Sequence, residues 1–478
     1  MFRQLCGLSL IFASISLFAE SKSSWIPLFD GQSLQGWRAA EHPDSWSVEQ
    51  GMLVTHGPRS HLFYDGPIAA HDFRNFELEL EVKTEAFSNS GVYIHTEYQE
   101  SGWPEKGYEC QIYNARPESR NGAYREHKMT GSIYAIRNTW KSPVNDGEWF
   151  QYRIHVQGKS IRTYINGELI CEYTEPEDPY RPDSMPGRLL GSGTIALQGH
   201  DPESRVYFRN VRVRLLPDDL PSLGTALEDA AFERRLIDLA SANIPLVDLH
   251  THLKGGLTLE QALSNARRYG FTYGIAVNCG LQMGHESDAE VIDYFDAFVS
   301  PPHTWHGMQA EGREWVDLFS DDVIERFDYV FTDSMTWTND QGKRMRLWLP
   351  EETEVGDPQS FMEQLVDRTV ELLAREPIQI WVNATYLPDS IADRYDELWT
   401  PERMDRVIQA LVDHDIALEI NARREIPSAT FLRRAKAAGV SFTLGTNNAG
   451  ADDLGHLEYA IKMIELLGLK ASDMWLPE

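Results

Sequence analysis

Residues 244–252 read IPLVDLHTH, an apolar, partly β-branched run that ends in Asp-Leu-His-Thr-His. Side chains alternate along a strand, so a strand ending here presents His250 and His252 on one face, with Asp248 two positions earlier on the same face. Two neutral imidazoles so placed suit one divalent cation, zinc or manganese, with Asp248 as an orienting partner. The plainer reading is a chance pair of surface histidines, and the apolar run in front of them weighs against it. Further on, apolar segments (YGIAVN, DYVFTD, IQIWVN, IALEIN, SFTLGT) alternate with helical stretches such as TLEQALSNARRYG and PSATFLRRAKAAG. This βα repetition predicts a parallel α/β barrel over residues 243–478, with its sites at the carboxyl ends of the strands.

The first half has a different grammar. FELELEVKT (76–84), YRIHV (152–156), IRTYING (161–167) and VYFRNVRVRLL (206–216) alternate apolar and polar residues, and Asn166-Gly167 is a hairpin signal. No helical pattern of useful length interrupts them. Residues 25–216 are therefore expected to form an all-β, antiparallel sandwich of jelly-roll character. LPDDLPSLGT (216–225) reads as a linker, and a helix follows it, so 217–242 separate the two halves.

The chain of 478 residues exceeds one ordinary core. Its 44 basic and 73 acidic residues give a formal charge of −29, which argues against nucleic acid or an anionic membrane as partner and leaves small carbohydrates allowed. Residues 1–19 combine one Arg, an apolar run from Leu5 to Phe18, and Ala19 before a polar stretch. That is the pattern of a Sec-type signal peptide, and it implies export to periplasm or medium. An uncleaved anchor is the alternative. Cys110, Cys171 and Cys279 would remain after cleavage, an odd set that defines no disulfide framework, although one bridge between Cys110 and Cys171 is allowed.

Between Asn89 and Asn114 lies the densest polar-aromatic text in the chain, NSGVYIHTEYQESGWPEKGYECQIYN. Regular alternation places Tyr93, His95 and Glu97 on one face of the first strand, and Glu109, Gln111 and Tyr113 on one face of the second. A solvated strand face normally carries Lys, Glu and Thr. Here His, Glu, Gln and Tyr gather, a palette for sugar binding and acid/base chemistry. Gln198, His200 and Asp201 end a later strand, and Tyr207, Arg209 and Asn210 follow on the next.

WIPLFDGQSLQGW (25–37), NSGVYIH, GYECQIYN, DGEWFQYRIHVQGKSIRTYING (146–167) and IALQGHDPESRVYFRNVRV together resemble the 3-keto-disaccharide hydrolase family. The resemblance covers nearly the whole first half and implies a concanavalin-like sandwich acting on glycosides oxidised at C3. Glu109, Gln111, Gln198 and His200 fall on the family's motif positions. A 3-keto group acidifies the C2 proton, so the C1 substituent can leave by elimination, with water added afterwards. That route needs a base, donors for the enolate oxygen and an acid for the leaving group; direct hydrolysis needs a carboxylate pair across the bond. We expect Glu109 as base or acid, His95 or His200 as its counterpart and Gln111 as a donor. Tyr93, Glu97, Tyr113, Gln198 and Arg209 are the expected sugar contacts. A lectin-like module without turnover is the alternative.

DLHTH and the αβ units after it resemble the polymerase-and-histidinol-phosphatase (PHP) family of metal-dependent phosphoesterases, from about Asn243 onward, with a TIM-like barrel implied. The match is uneven: Asn278-Cys279 stands where the family carries an Asp-His pair, and Asn447 and Ala449 replace a late Asp and His. The remaining donors predict a single cation on His250, His252, Glu311 and Asp333. A metal-dependent phosphoesterase or esterase with the sandwich as its glycan-binding module, and a barrel without catalysis, are the competing readings.

Overall fold

The computed structural model describes residues 24–115, 125–299, 301–339 and 341–477. The signal-peptide segment lies outside them. Two antiparallel sheets form the amino-terminal half. The larger runs in the order Glu168–Thr174, Ser160–Ile165, Phe150–Gln157, Phe76–Thr84, Arg205–Leu215, Met52–His56 and Trp46–Glu49, with Ile26–Pro27 also paired to Arg205–Leu215. The smaller contains β1 (Trp37–Ala39), β2 (Ser60–Tyr64), β3 (Asn89–Thr96), β4 (Tyr108–Tyr113) and β5 (Thr194–Gly199), in the order β1-β2-β5-β3-β4.

Alternation dictates how the sheets meet. In FELELEVKT, Phe76, Leu78, Leu80 and Val82 are fully buried, while Glu77, Glu79 and Glu81 point outward and pair with Arg214, Arg212 and Arg209 on the neighbouring strand. The smaller sheet contributes Leu62, Val92, Ile94, Cys110, Ile112 and Leu197 to the same core. Its opposite face carries the polar residues of interest and is roofed by loops.

After a helix at Ala230–Ser241 comes a closed, parallel seven-stranded barrel: β6 (Val247–Thr251), β7 (Thr272–Cys279), β8 (Trp305–Ala310), β9 (Tyr329–Thr332), β10 (Ile380–Trp381), β11 (Ala417–Asn421) and β12 (Phe442–Gly445). Helices such as Leu259–Tyr269, with its Thr258–Gln261 capping box and left-handed Gly270, alternate with the strands as their periodicity requires. Inside the barrel the Tyr329 ring fills space that Gly274 and Gly307 leave open, and its hydroxyl donates to the Leu249 carbonyl at 2.5 Å. Cys110, Cys171 and Cys279 are all buried thiols, so the Cys110–Cys171 bridge does not form.

The segment 125–141 joins the halves. Arg137 pairs with Glu233 at 2.5 Å, both nearly inaccessible. Trp140 donates its backbone N–H to Thr272 and its indole N–H to the Gly270 carbonyl. Lys128 Nζ reaches Asn243 Oδ1 at 2.9 Å, and Lys141 Nζ reaches the Thr304 carbonyl at 2.8 Å. Asn243, Gly270 and Thr304 all precede barrel strands, so the barrel turns its amino-terminal end toward the sandwich and leaves its carboxyl-terminal mouth free.

Candidate active site on the sandwich and polar ring of the barrel

On the roofed face of the smaller sheet, register places Tyr93 opposite Glu109 and Gly91 opposite Gln111, while Gln198 lies beside His61. The Glu109 side chain leans back over Gly91. A Cβ there would sit 2.9 Å from Glu109 Oε1 and 3.1 Å from its Cγ. The bare glycine lets the carboxylate cross a strand and meet three donors: Tyr93 OH at 2.9 Å and Arg188 Nη2 at 3.2 Å on Oε2, and Gln198 Nε2 at 2.7 Å on Oε1. All four residues are buried, and burial is tolerable because each charge is paired. Burial first, then the Glu109 charge, keeps the Tyr93 phenol protonated far above its usual range. Arg188 Nη1, Gln198 Oε1 and Gln111 Oε1 are buried with no hydrogen-bond partner among the described residues.

An aromatic wall flanks this cluster. The His61 ring meets Tyr93 edge-on at 5.4 Å and Trp103 at 5.6 Å, and Trp103 lies 5.0 Å from the His200 ring. Burial, then the nearby charges of Arg59, His200 and Arg188, push His61 down to about 3, so it is a neutral imidazole at ordinary pH. His200 is about one-third exposed, and Asp201 Oδ2 holds its Nδ1 at 2.7 Å. A carboxylate that fixes one ring nitrogen leaves the other available for proton transfer. Burial works against the Asp201 charge, but bonds from His200, Glu203 and Ser204 outweigh it and hold that carboxyl below its usual range.

The structure thus brings Glu109, Gln111, Tyr93, Gln198 and His200 onto one face, with Tyr113 buried two positions beyond Gln111 on the same strand. Three expected residues are elsewhere. His95 has φ 52, and the β3–β5 ladder shifts register between Thr194 and Ala196. That bulge turns His95 away from Tyr93: Nε2 binds the Arg74 carbonyl at 2.8 Å, Nδ1 accepts from Gly191 N–H, and burial pushes the ring down to about 4. Glu97, beyond the bulge, is exposed and pairs with Lys106. Arg209 belongs to the larger sheet, in an ion pair with Glu81 and 4.0 Å over Trp149. Arg188, His61 and Trp103 were not expected from the sequence. Arg188 and Trp103 sit on loops, where no periodicity betrays them; His61, in SHLFY, could have been found by extending the strand-face reading to β2.

At the barrel mouth, His250 Nδ1 lies 2.5 Å from Glu419 Oε1 and Nε2 lies 3.2 Å from Gln309 Oε1. Each ring nitrogen thus faces an oxygen, although a neutral imidazole has only one N–H to donate. His252 Nδ1 faces the Ala276 carbonyl at 3.1 Å. Glu311 accepts from Gln309 and Asn278, and Asp333 from Asn383 and the Met335 N–H. Asp248 takes the backbone N–H of His250 and of Thr446, not an imidazole. Among the described residues no three His, Cys, Asp or Glu side chains are grouped to hold an ion. His250, His252, Glu311 and Asp333 do not fit a cation as they stand; amides occupy the positions between them. Burial raises both Glu311 and Asp333, and the Asp333 charge adds to the rise at Glu311.

Comparison with known proteins bears on the sandwich. Residues 24–214 match the profile of the 3-keto-alpha-glucoside-1,2-lyase-like domain. A 3-keto-disaccharide hydrolase of Bacteroides thetaiotaomicron is 28% identical over 229 residues, spanning 40% of this chain and 78% of the relative. Two crystal structures from Parabacteroides distasonis, both assigned as glycosyl hydrolases, also resemble it. One is 24% identical, covers 40% of this chain and 94% of its own, and has a TM-score of 0.34. The other is 28% identical, covers 40% and 100%, and has a TM-score of 0.33. The amino-terminal region, residues 24–214, matches the 3-keto-disaccharide hydrolase domain.

Proposed function

We propose that the sandwich cleaves glycosides whose sugar is oxidised at C3, by elimination followed by hydration. One observation carries the reading: a buried Glu109 carboxylate clamped by Tyr93, Arg188 and Gln198, inside the region that matches the lyase-like domain. His200, oriented by Asp201, withdraws the C2 proton, and the electron pair passes into the C3 carbonyl as an enolate. Arg188 Nη1, which has no partner among the described residues, donates to that oxygen as charge develops. Collapse of the enolate restores the carbonyl, forms C1=C2 and breaks the C1–O bond, and the aglycone leaves as an alcohol after taking a proton. Water then adds across C1=C2. Glu109 holds Arg188 and Tyr93 in place, and Gln111 Oε1 accepts a sugar hydroxyl. The signal-type sequence of residues 1–19 supports export, and the strongly acidic composition suits a neutral sugar substrate.

The test uses the full chain with 4-nitrophenyl 3-keto-β-glucoside and its unoxidised parent. Only the keto form should turn over, with loss on Glu109→Gln and His200→Ala and deuterium from the solvent appearing at C2. Folded Glu109→Gln and His200→Ala variants with undiminished turnover would overturn the assignment.

A further inference from the structure

The carboxyl-terminal mouth of the barrel gathers a network of buried polar side chains. Consecutive strand ends deliver polar side chains joined through two asparagines. Asn383 gives its N–H to Glu419 Oε2 at 2.6 Å and its amide to Asp333 Oδ2 at 2.8 Å, while its own Oδ1 accepts from Asn421 and Asn447. Asn421 Oδ1 in turn accepts the backbone N–H of Arg424 at 2.9 Å. Beside this ring opens a cavity of about 440 Å³, within the size range of small-molecule sites, whose walls include Thr385, Tyr386, Tyr395, Arg423 and Arg424.

Two observations point to a ligand site. The Arg424 guanidinium lies 4.6 Å over the Tyr386 ring, and its Nε is buried without a hydrogen-bond partner among the described residues. No carboxylate pairs with it there, whereas Arg423 has Asp453 at 3.6 Å and gives Nη1 to the Asn447 carbonyl. The backbone around the cavity is also strained. Asn383, Thr385, Glu425 and Asn447 all have positive φ, between 47° and 68°. Such conformations disfavour side chains with a Cβ, the β-branched Thr385 most of all, and they concentrate where a site must be held in one geometry.

We propose that this mouth binds a polyhydroxylated carboxylate, a sugar acid, independently of the sandwich. A planar guanidinium on the cavity wall, with no carboxylate paired to it among the described residues, matches a carboxylate. The Thr385, Tyr386 and Tyr395 hydroxyls on the cavity wall match sugar hydroxyl groups, which both donate and accept. A dianionic phosphate ester is disfavoured, because the Asp389 carboxylate lines the cavity.

Calorimetric titration of the full chain with glucuronate, gluconate, glucose and glucose 6-phosphate tests this. Saturable binding of at least one acid is expected, weakened at least tenfold by Arg424→Gln and less by Arg424→Lys, with turnover of the 3-keto-glucoside unchanged. Thermal melting establishes that the variants fold, and Arg424→Lys carries the comparison if Arg424→Gln does not. The proposal is overturned if neither acid binds, if glucose or glucose 6-phosphate binds as tightly as the acids, or if affinity survives Arg424→Gln.

Discussion

Adding one methyl group at Gly91 should separate activity from stability. The new Cβ would meet Glu109 Oε1 at 2.9 Å, where ordinary contact begins near 3.4 Å, so the carboxylate must retreat by about half an ångström. Glu109 is a flexible side chain, not backbone, so the sheet can absorb the methyl with a cost of about 1–2 kcal/mol, at the low end for overpacking. The chemistry is less forgiving. A retreat of that size stretches the 2.7 Å bond from Gln198 and pulls Arg188 from its position. Misplacing a catalytic group by ~1 Å costs about a hundredfold in rate, so half of that predicts roughly a tenfold loss in kcat/KM. Gly91→Ala should therefore melt within roughly 10 °C of the native protein while releasing nitrophenol from the 3-keto-glucoside about ten times more slowly. A folded Gly91→Ala protein with kcat/KM within twofold of wild type would refute the claim that Glu109 acts from its crossed-over position.

Three further outcomes follow from the same geometry. His95→Gln should leave kcat at 25 °C unchanged and lower the melting temperature, because His95 serves the backbone of Arg74 and Gly191 instead of substrate; a large loss of kcat in a folded variant would return His95 to the site. His95 and His61 are held at about 4 and about 3. Between pH 6.5 and those values the unfolded chain binds more protons, so stability should fall as pH drops, by up to about 1.4 kcal/mol per unit for each histidine. Denaturant titrations from pH 7 to 4 should show that slope, shallower in His95→Gln; an unchanged slope in the variant removes His95 as its source. Arg137→Ala strands a buried Glu233 and should cost about 3–5 kcal/mol in chemical denaturation, whereas Arg137→Met with Glu233→Leu should cost less; equal losses would mean that packing, not charge, sets the price.

The sandwich was legible wherever alternation is regular. Leu78, Leu80 and Val82 face inward and Glu77, Glu79 and Glu81 outward, as FELELEVKT requires. Glu109, Gln111 and Gln198 share a face for the same reason. Alternation fails at His95 because a bulge is a property of two paired strands: whether one residue faces one or two partners is decided across the ladder, with the sequence of β3 alone silent on it. Arg188 was hidden differently. It follows Met185-Pro186-Gly187 in an irregular segment, and only the tertiary fold carries its guanidinium 79 positions back to Glu109. In the barrel, the strand–helix rhythm and the amides at Asn278 and Asn447 were visible, but the bond between His250 and Glu419 spans 169 positions. That bond changes the meaning of DLHTH, since it ties His250 to a carboxylate on β11 while the Gln309 amide stands at the other ring nitrogen.

Segment 125–141 explains why two such halves share a chain. β4 is the edge strand of the smaller sheet, and an uncovered edge presents unpaired N–H and C=O groups. Residues 130–134 cover it: Thr130 and Gly131 N–H donate to the Tyr113 and Gln111 carbonyls, Ser132 C=O accepts from Gln111 N–H, and Tyr134 N–H donates to the Glu109 carbonyl. The same segment is fastened at Lys128, Arg137 and Trp140 to Asn243, Glu233 and Gly270. The backbone of Glu109 is thus held from one side by its own sheet and from the other by a strap pinned to the barrel's amino-terminal end. A barrel braced to the sandwich through that end can use its carboxyl-terminal mouth for a ligand of its own. Mutations at the strap should therefore weaken turnover in the sandwich without touching the affinity of Arg424 for its acid, and mutations at Arg424 should do the reverse.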